Sequence, residues 1–220
     1  IHIVVIPLPH LFGLINKTLT INYIYTNIMK LAIIDLEWTA WKGSHERKWS
    51  LEFEQKEIVE FGFVSFNNFS STNIRKKSFY FKTSKEISNY FTKLTNITKR
   101  FHEERGKKFE ENFFEINREM SQYKIILCNG KDKDIIVENF KLKKLPLPFF
   151  LRKIKDISHV ISNVLNKDGE HQVSSELLDT LKIKDNVKHK HRASDDAYAI
   201  FLALKYLIKK RRVKVSEILR

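Results

Sequence analysis

The chain has 220 residues, enough for one large domain or a domain with an appendage, and 42% of them are hydrophobic. Its 40 basic and 26 acidic residues give a formal net charge of +14, which favours nucleic acid over an anionic membrane as partner, although a genome biased toward lysine codons would give the same charge. Cys128 is the only cysteine, which excludes an intrachain disulfide and a thiolate metal cluster and favours the reducing cytoplasm.

Residues 1–28 differ from the rest of the chain. Their apolar stretches are too broken for a membrane span of ~20 apolar residues. They also lack the basic start and the small-residue cleavage site of a signal peptide. Met29 directly precedes the first predicted strand. We therefore expect residues 1–28 to be a non-native or disordered extension, residues 29–212 to form one domain, and residues 213–220 to form a short basic tail.

The first predicted strand covers residues 30–39, where an apolar run ends in Asp35 and Glu37. Side chains alternate along a strand, so both carboxylates project from one face, about 7 Å apart. Two neighbouring acids repel each other. A divalent metal that prefers oxygen ligands, such as Mg²⁺ or Mn²⁺, would relieve that repulsion. The alternative is a strand that ends at the surface with both acids solvated.

A polar loop follows over residues 40–56 and interleaves aromatic with basic side chains, including Trp41 and Trp49. This pattern can stack nucleobases while it holds phosphates. Alternatively, the tryptophans pack against the base of their own loop. Residues 57–66 and 77–82 then predict two further strands, so three strands in a meander open the domain.

Strands and helices alternate in the second half. Short apolar runs predict a fourth and a fifth strand at residues 124–128 and 154–157. Asp132 can cap the helix that follows the fourth strand. Apolar residues at helical spacing predict the other helices. These helices are predicted at residues 109–120, at 161–165, from 174 onward and at 197–208.

Three further candidate site residues are distant in sequence from the first two. In an open α/β sheet, ligand sites gather outside the carboxyl ends of the strands, so Asp132 should lie beside Asp35 and Glu37. His191 precedes the last helix and Asp196 lies near the start of that helix. Four carboxylates and one histidine suit two-metal hydrolysis of a phosphodiester. The histidine would take a proton from the attacking water near neutral pH.

The order and placement of these residues resemble the DEDD superfamily of 3′→5′ exonucleases, in its histidine-containing DnaQ-like subgroup (DEDDh), and most of all the ERI-1/KapD-like exonucleases. Residues 35–37 match the first family motif and Asp132 matches the second. His191 and Asp196 match the third motif, His-x4-Asp. Residues 94–98, Leu-Thr-Asn-Ile-Thr, resemble the Leu-Thr-Gly-Ile-Thr stretch of the family. The resemblance covers nearly all of residues 30–208.

The resemblance implies an α/β, ribonuclease-H-like fold, with a five-stranded mixed sheet whose second strand is antiparallel and helices that flank the sheet. It implies two Mg²⁺ or Mn²⁺ ions. The implied metal ligands are Asp35, Glu37, Asp132 and Asp196. Glu37, with its neighbours Trp38 and Thr39, is implied to contact the 3′ end of single-stranded RNA or DNA, and His191 to contact the substrate and activate water. Many relatives are dimers, so a homodimer is one implied assembly.

Two motif assignments have competitors. Asp134 competes with Asp132, which is preferred because the apolar pair of the family motif then falls three and four positions later. His189 and Asp195 compete in the third motif, but only the pair named above has the five-residue spacing. The remaining histidines are expected to be surface or structural residues; they include His45, His102, His159 and His171.

Two other functions are compatible with the sequence. A nucleic-acid-binding module with an inactive nuclease site would keep the basic surface and the aromatic loop, but it would not need all five site residues. A proofreading subunit bound to a DNA polymerase would share the chemistry and differ in its partner. The sequence does not decide between RNA and DNA, because recognition of the 2′-hydroxyl depends on the geometry of the pocket.

Overall fold

A computed structural model of the protein describes residues 30–165, 171–185, 187 and 189–219. Its strands are β1 (Leu31–Trp38), β2 (Ile58–Phe66), β3 (Arg75–Tyr80), β4 (Ile125–Cys128) and β5 (Ile154–Asp156). They form one sheet in the order β3-β2-β1-β4-β5. β2 is antiparallel to β1 and β3, while β4 is parallel to β1 and β5. The predicted five-stranded mixed sheet with an antiparallel second strand is confirmed.

Helices flank this sheet. The α-helices in the described residues are α1 (Asn89–Thr95), α2 (Lys99–Arg105), α3 (Phe109–Met120), α4 (Asp132–Leu142), α5 (Ser158–Val164), α6 (Leu177–Thr180), α7 (Ala193–Lys209) and α8 (Val215–Leu219). Short 3₁₀ helices cover Phe149–Lys153 and Ser174–Glu176. None of the helices in the described part of the chain is both long and apolar enough to cross a membrane.

The two ends of the chain were predicted to differ from the domain between them. The predicted extension over residues 1–28 lies outside the described residues. The predicted basic tail contains α8, in which Ile218 is buried against the core that α7 also contacts. This part of the chain therefore contributes an apolar side chain to the packing of the domain.

β1 separates two apolar cores. The even-numbered residues of β1 contact the core built with α3 and α4. Leu31 and Ile33 contact the opposite core, which is built with α7. Because side chains alternate along a strand, Asp35 and Glu37 continue the row of Leu31 and Ile33. The two carboxylates therefore lie on the face of the sheet that α7 covers.

The third strand differs from its predicted position. It spans Arg75–Tyr80 instead of residues 77–82, and Arg75 pairs with Ser65 of β2. The backbone of β2 pairs with Arg75 and Lys76 and extends β3 to include them. From composition alone, these basic residues were assigned to the preceding turn, because strand propensity depends strongly on the neighbouring strand. Phe81 lies beyond the strand and forms an isolated bridge with Lys107.

Candidate active site

Asp35 and Glu37 lie near the C-terminal end of β1, directly opposite Gly62 and Glu60 of β2. Asp35 is buried and Glu37 is half-buried. Burial raises the pKa of Asp35 well above its ordinary value, and the charges of Asp132, Asp196 and Glu37 raise it further. The pKa of Glu37 is also raised well above its usual range, first by burial and then by Asp196. The mutual repulsion expected from the sequence is therefore present.

Asp132 joins this pair from the neighbouring strand. It is the first residue of α4 and follows closely on β4, which lies parallel to β1. The cap position of the helix is Lys131, so the predicted capping by Asp132 is wrong. Burial raises its pKa to about 7, although hydrogen bonds with its own backbone and that of Leu36 act in the opposite direction. The bond to Leu36 connects Asp132 to the segment between the two carboxylates of β1. Asp134, the competing residue, is exposed.

Asp196 approaches the same carboxylates from the first turn of α7. Burial raises its pKa to about 8, and the charges of Asp195 and Glu60 contribute to the rise. Its Oδ1 atom is buried and has no hydrogen-bond partner among the described residues. An unsatisfied carboxylate oxygen is costly in a protein interior, and a cation is a suitable partner for it.

His191 completes the group. One ligand atom from each of Glu37, His191 and Asp196 lies within 4.8 Å of the other two. His191 is half-buried, and burial lowers its pKa from the ordinary histidine value. Its Nε2 lies 3.5 Å from the hydroxyl oxygen of Ser175. The structure thus brings together the five residues that the sequence analysis selected, from β1, α4 and the start of α7.

The competitors in the third motif lie elsewhere. His189 is exposed. Asp195 is buried, but its carboxylate pairs with the Lys76 ammonium of β3 at 2.5 Å, so a protein cation already offsets its charge. Among the other histidines, His102 is buried and its Nε2 lies 3.4 Å from the hydroxyl of Thr83, which is a structural contact.

The donor set fits a divalent cation. Carboxylate oxygens are the ligands that Mg²⁺ and Mn²⁺ prefer. Burial and mutual repulsion raise the pKa values of Asp35, Glu37, Asp132 and Asp196, so a positive charge that enters the site would favour their ionised forms. The orphaned Oδ1 atom of Asp196 points to the same requirement.

Trp38 and Thr39, the predicted substrate contacts, connect β1 to the aromatic loop. The Thr39 hydroxyl donates to the carbonyl of Gln55 and accepts from the backbone N–H of Glu57 at 2.9 Å, so it is engaged within the base of the loop. Trp38 is half-buried and its ring lies 6.2 Å from that of Trp49. Substrate contact by these two residues stays a prediction.

The tryptophans of the loop pack on the protein. Trp49 donates its indole N–H to the Thr39 carbonyl at 2.9 Å, and Trp41 packs edge-on against Phe53 at 5.6 Å. Both are half-buried, whereas Phe53 is 46% exposed. Of the two alternatives, packing at the loop base therefore accounts for the tryptophans, and Phe53 is the loop aromatic with a free surface.

The sequence analysis missed two supporting serines. A hydrogen bond with Ser174 lowers the otherwise raised pKa of Asp35, and Ser175 lies beside His191. Asn129 holds this segment over the end of β4, because its side-chain amide donates to Gln172 and to the Ser174 hydroxyl. In the sequence, both serines indicated only the start of a helix, and no signal linked them to the site.

Glu60 and Arg192 were also missed. Glu60 lies within β2, is fully buried, and accepts a hydrogen bond from Arg192 at 3.1 Å. A charged residue inside an otherwise apolar strand could have indicated it, because buried charges are almost always paired. Its partner is 132 residues away in the sequence, which no local pattern can indicate.

Comparison with known proteins assigns the chain to a family. A family model described as "RNase_T: Exonuclease" matches residues 32–204. No curated protein sequence matches the chain at the required significance. The nuclease domain of 3′hExo, described as a DEDDh family member bound to rAMP, has a TM-score of 0.67 at 22% identity, with 82% of this chain and 92% of that chain covered.

Two further solved structures share the fold. Cell-death related nuclease 4 (CRN-4) has a TM-score of 0.66 at 16% identity, with 84% of this chain and 65% of that chain covered. Exonuclease I of E. coli, in a zinc-bound complex with single-stranded DNA, has a TM-score of 0.61 at 14% identity, with 83% and 41% covered. The chain therefore spans less than two thirds of the length of these two proteins.

These likenesses confirm the ribonuclease-H-like fold. The family model covers most of the chain, and its matched region contains β1, α4 and the start of α7, which carry the five site residues. As the DEDDh resemblance indicated, the chain belongs to the exonuclease family and contains a nuclease domain of that family.

Proposed function

We propose that this chain is a metal-dependent 3′→5′ exonuclease that hydrolyses phosphodiester bonds from the 3′ end of single-stranded RNA or DNA. The observation that carries the proposal is the convergence of four carboxylates from three distant segments around His191, with Glu37, His191 and Asp196 within 4.8 Å of one another. Such a group is costly to bury unless it binds cations. Two cations held at this position could stabilise the attacking and leaving oxygens of phosphodiester hydrolysis.

Two Mg²⁺ or Mn²⁺ ions are the proposed cofactors. The residues that would hold them are Asp35, Glu37, Asp132 and Asp196. When bound, such a pair of ions would supply a clamp for the attacking and leaving oxygens of an in-line displacement. Four carboxylates offset the four positive charges of the two ions, which leaves the phosphate of the substrate as an additional anionic partner.

His191 is the proposed general base. Burial lowers its pKa below the ordinary value of 6.5, so the imidazole is neutral at pH 7 and can accept a proton from the attacking water. Glu37 would accept a hydrogen bond from the 3′-terminal hydroxyl of the substrate. Trp38 follows it on the strand and has an exposed part that could contact the terminal nucleotide.

A degradation assay tests this function. The full chain is incubated with matched 5′-labelled RNA and DNA oligonucleotides in Mg²⁺ or Mn²⁺, and we expect products that shorten one nucleotide at a time from the 3′ end. EDTA or Asp35→Asn should stop the reaction. Asp134→Asn is the matched control, because Asp134 is exposed on the same helix as Asp132. Full activity in Asp35→Asn would disprove the mechanism.

The degradation assay and a recovery from native lysate separate the alternative functions. Wild-type protein that binds the oligonucleotides but never shortens them, with either metal, would identify a nucleic-acid-binding module. A DNA polymerase that is recovered with the protein from native lysate would identify a proofreading subunit. For the active enzyme we expect a domain that begins at residue 29 and includes α8, whose Ile218 packs into the core, and a cytoplasmic location. Sedimentation analysis tests the homodimer that the resemblance implies.

A further inference from the structure

Arg192 connects the loop of His191 to β2 and β3 on the face of the sheet that α7 covers. Its Nε donates to Glu60 of β2 at 3.1 Å, and one of its terminal nitrogens donates to the hydroxyl of Tyr80 of β3. The guanidinium carbon lies 5.5 Å from the ring centroids of both Tyr80 and Phe101. Two hydrogen-bond acceptors and two aromatic rings therefore surround the charged group.

Glu60 is held as firmly as the arginine. It is fully buried, and its second carboxylate oxygen accepts a hydrogen bond from the Ser78 hydroxyl at 2.6 Å. It is also the direct cross-strand partner of Glu37. An ion pair between Arg192 and Glu60 therefore forms immediately beside the end of β1, where the carboxylates converge.

The backbone next to Arg192 needs such an anchor. His191 has a φ of 56°, in the left-handed region that non-glycine residues rarely adopt. Arg192 precedes α7 and provides no side-chain cap for the helix. A strained residue keeps its conformation only where its surroundings hold it. The backbone of His191 hydrogen-bonds the Asp196 carboxylate. The side chain of Arg192, the next residue, adds a second anchor because it bonds to β2 and β3.

We propose that Glu60, Arg192 and Tyr80 form a positioning cluster that sets His191 against Glu37 and Asp196. The inference rests on the proposed function, since it assigns a role to the support of the general base. An arginine beside a nuclease site could instead bind a substrate phosphate. The side chain of Arg192 is only 19% exposed, and its charge is already paired with Glu60, which favours positioning over phosphate binding.

The split between kcat and KM tests this role. Arg192→Met and Glu60→Gln should lower kcat at least tenfold while KM for a 5′-labelled oligonucleotide changes less than threefold. Arg192→Lys, which keeps the charge, should recover part of the loss. Arg100→Met is the matched control, because Arg100 is an exposed arginine that pairs with Glu104 on α2. A rise in KM at unchanged kcat for Arg192→Met would overturn the proposal and identify a phosphate contact.

A second readout does not depend on activity. The ring signals of His191 are assigned by comparison with His191→Gln and recorded by NMR at pH 8 in metal-free protein. We expect one set of signals in the wild type, and shifted or multiple signals in Arg192→Met and in Tyr80→Phe, a milder change that removes one hydroxyl. Unchanged His191 signals in both variants would overturn the proposal. An inactive wild-type protein whose His191 signals nevertheless respond would refute only the proposed function.

Discussion

A Cβ atom on Gly62 would lie only 2.1 Å from the backbone nitrogen of Ser194. Helix α7 can therefore contact β2 at this point only because residue 62 has no side chain. Gly62 is also the cross-strand partner of Asp35, and Ser194 is two residues before Asp196. This backbone contact sets the separation between the helix and the carboxylates of β1.

Gly62→Ala should therefore damage both stability and the site. Overpacking of a filled interior costs about 1–3 kcal/mol, and a domain of this size loses roughly 2–4 °C in melting temperature per kcal/mol. We also expect a loss of exonuclease activity larger than the fraction of unfolded protein explains, because Asp196 moves with the helix. Thermal unfolding and the oligonucleotide assay are the measurements. Wild-type stability and activity in this variant would contradict the contact.

The stability of the metal-free protein should decrease as the pH rises toward the folded pKa of Asp196. The folded pKa of Asp196 is about 8, against 3.8 for the unfolded group, so the native state binds more protons across that interval. Its stability contribution is complete below about pH 4 and is lost as the pH rises toward 8.

Asp196→Asn should remove the part of this dependence that comes from Asp196. In EDTA at pH 8 we expect the variant to be more stable than the wild type, by on the order of 1 kcal/mol or more, and the difference should shrink toward pH 5. Urea unfolding at both pH values measures it, with Asp134→Asn as the exposed control. A variant that is less stable than the wild type at pH 8 would contradict the raised pKa.

Divalent metal should stabilise the folded chain, because only the native state assembles the four carboxylates. A ligand at 100 times its Kd contributes about 2.7 kcal/mol. The rise in melting temperature with Mn²⁺ should be larger at pH 8 than at pH 6, since bound metal displaces protons from Asp132 and Asp196, whose pKa values are about 7 and about 8. Asp35→Asn should lose most of the rise and Asp134→Asn should keep it.

His191→Ala should lower turnover by roughly 10²–10⁴-fold, the usual contribution of a general base. Burial lowers the pKa of His191 below 6.5. At saturating metal, kcat should therefore begin to decrease only at a pH below 6.5. His189→Ala, a change of an exposed histidine two residues earlier, should leave the profile intact. If His191→Ala instead abolishes the Mn²⁺-induced rise in melting temperature, His191 is a metal ligand and not a base.

The part of the fold that could be predicted follows from local patterns. The run that ends in Asp35 and Glu37 indicates a strand because its apolar residues and its two acids lie next to each other in the sequence. The position of Asp132 follows from the rule that parallel strands end at one edge of the sheet. These features can be predicted without knowing which distant residues lie beside them in the fold.

The remaining features depend on contacts between distant residues. The pairing of Glu60 with Glu37 depends on the register of β2, which shifts at a bulge between Glu37 and Trp38. The partner of Glu60 is Arg192, and no sequence pattern relates the two. The start of β3 at Arg75 was missed for the same reason, since the backbone of β2 and the Glu119 carboxylate, which pairs with Arg75 at 2.5 Å, stabilise it there.

The exposed edge of the sheet has a further consequence for association. β3 is an outer strand, and Arg75 and Lys76 at its start are exposed. A free strand edge can pair with the edge of another molecule, and charged side chains on the strand oppose this pairing. Arg75 and Lys76 are held on this edge by ion pairs with Glu119 and Asp195. A dimer of this chain would therefore avoid β3 as its contact.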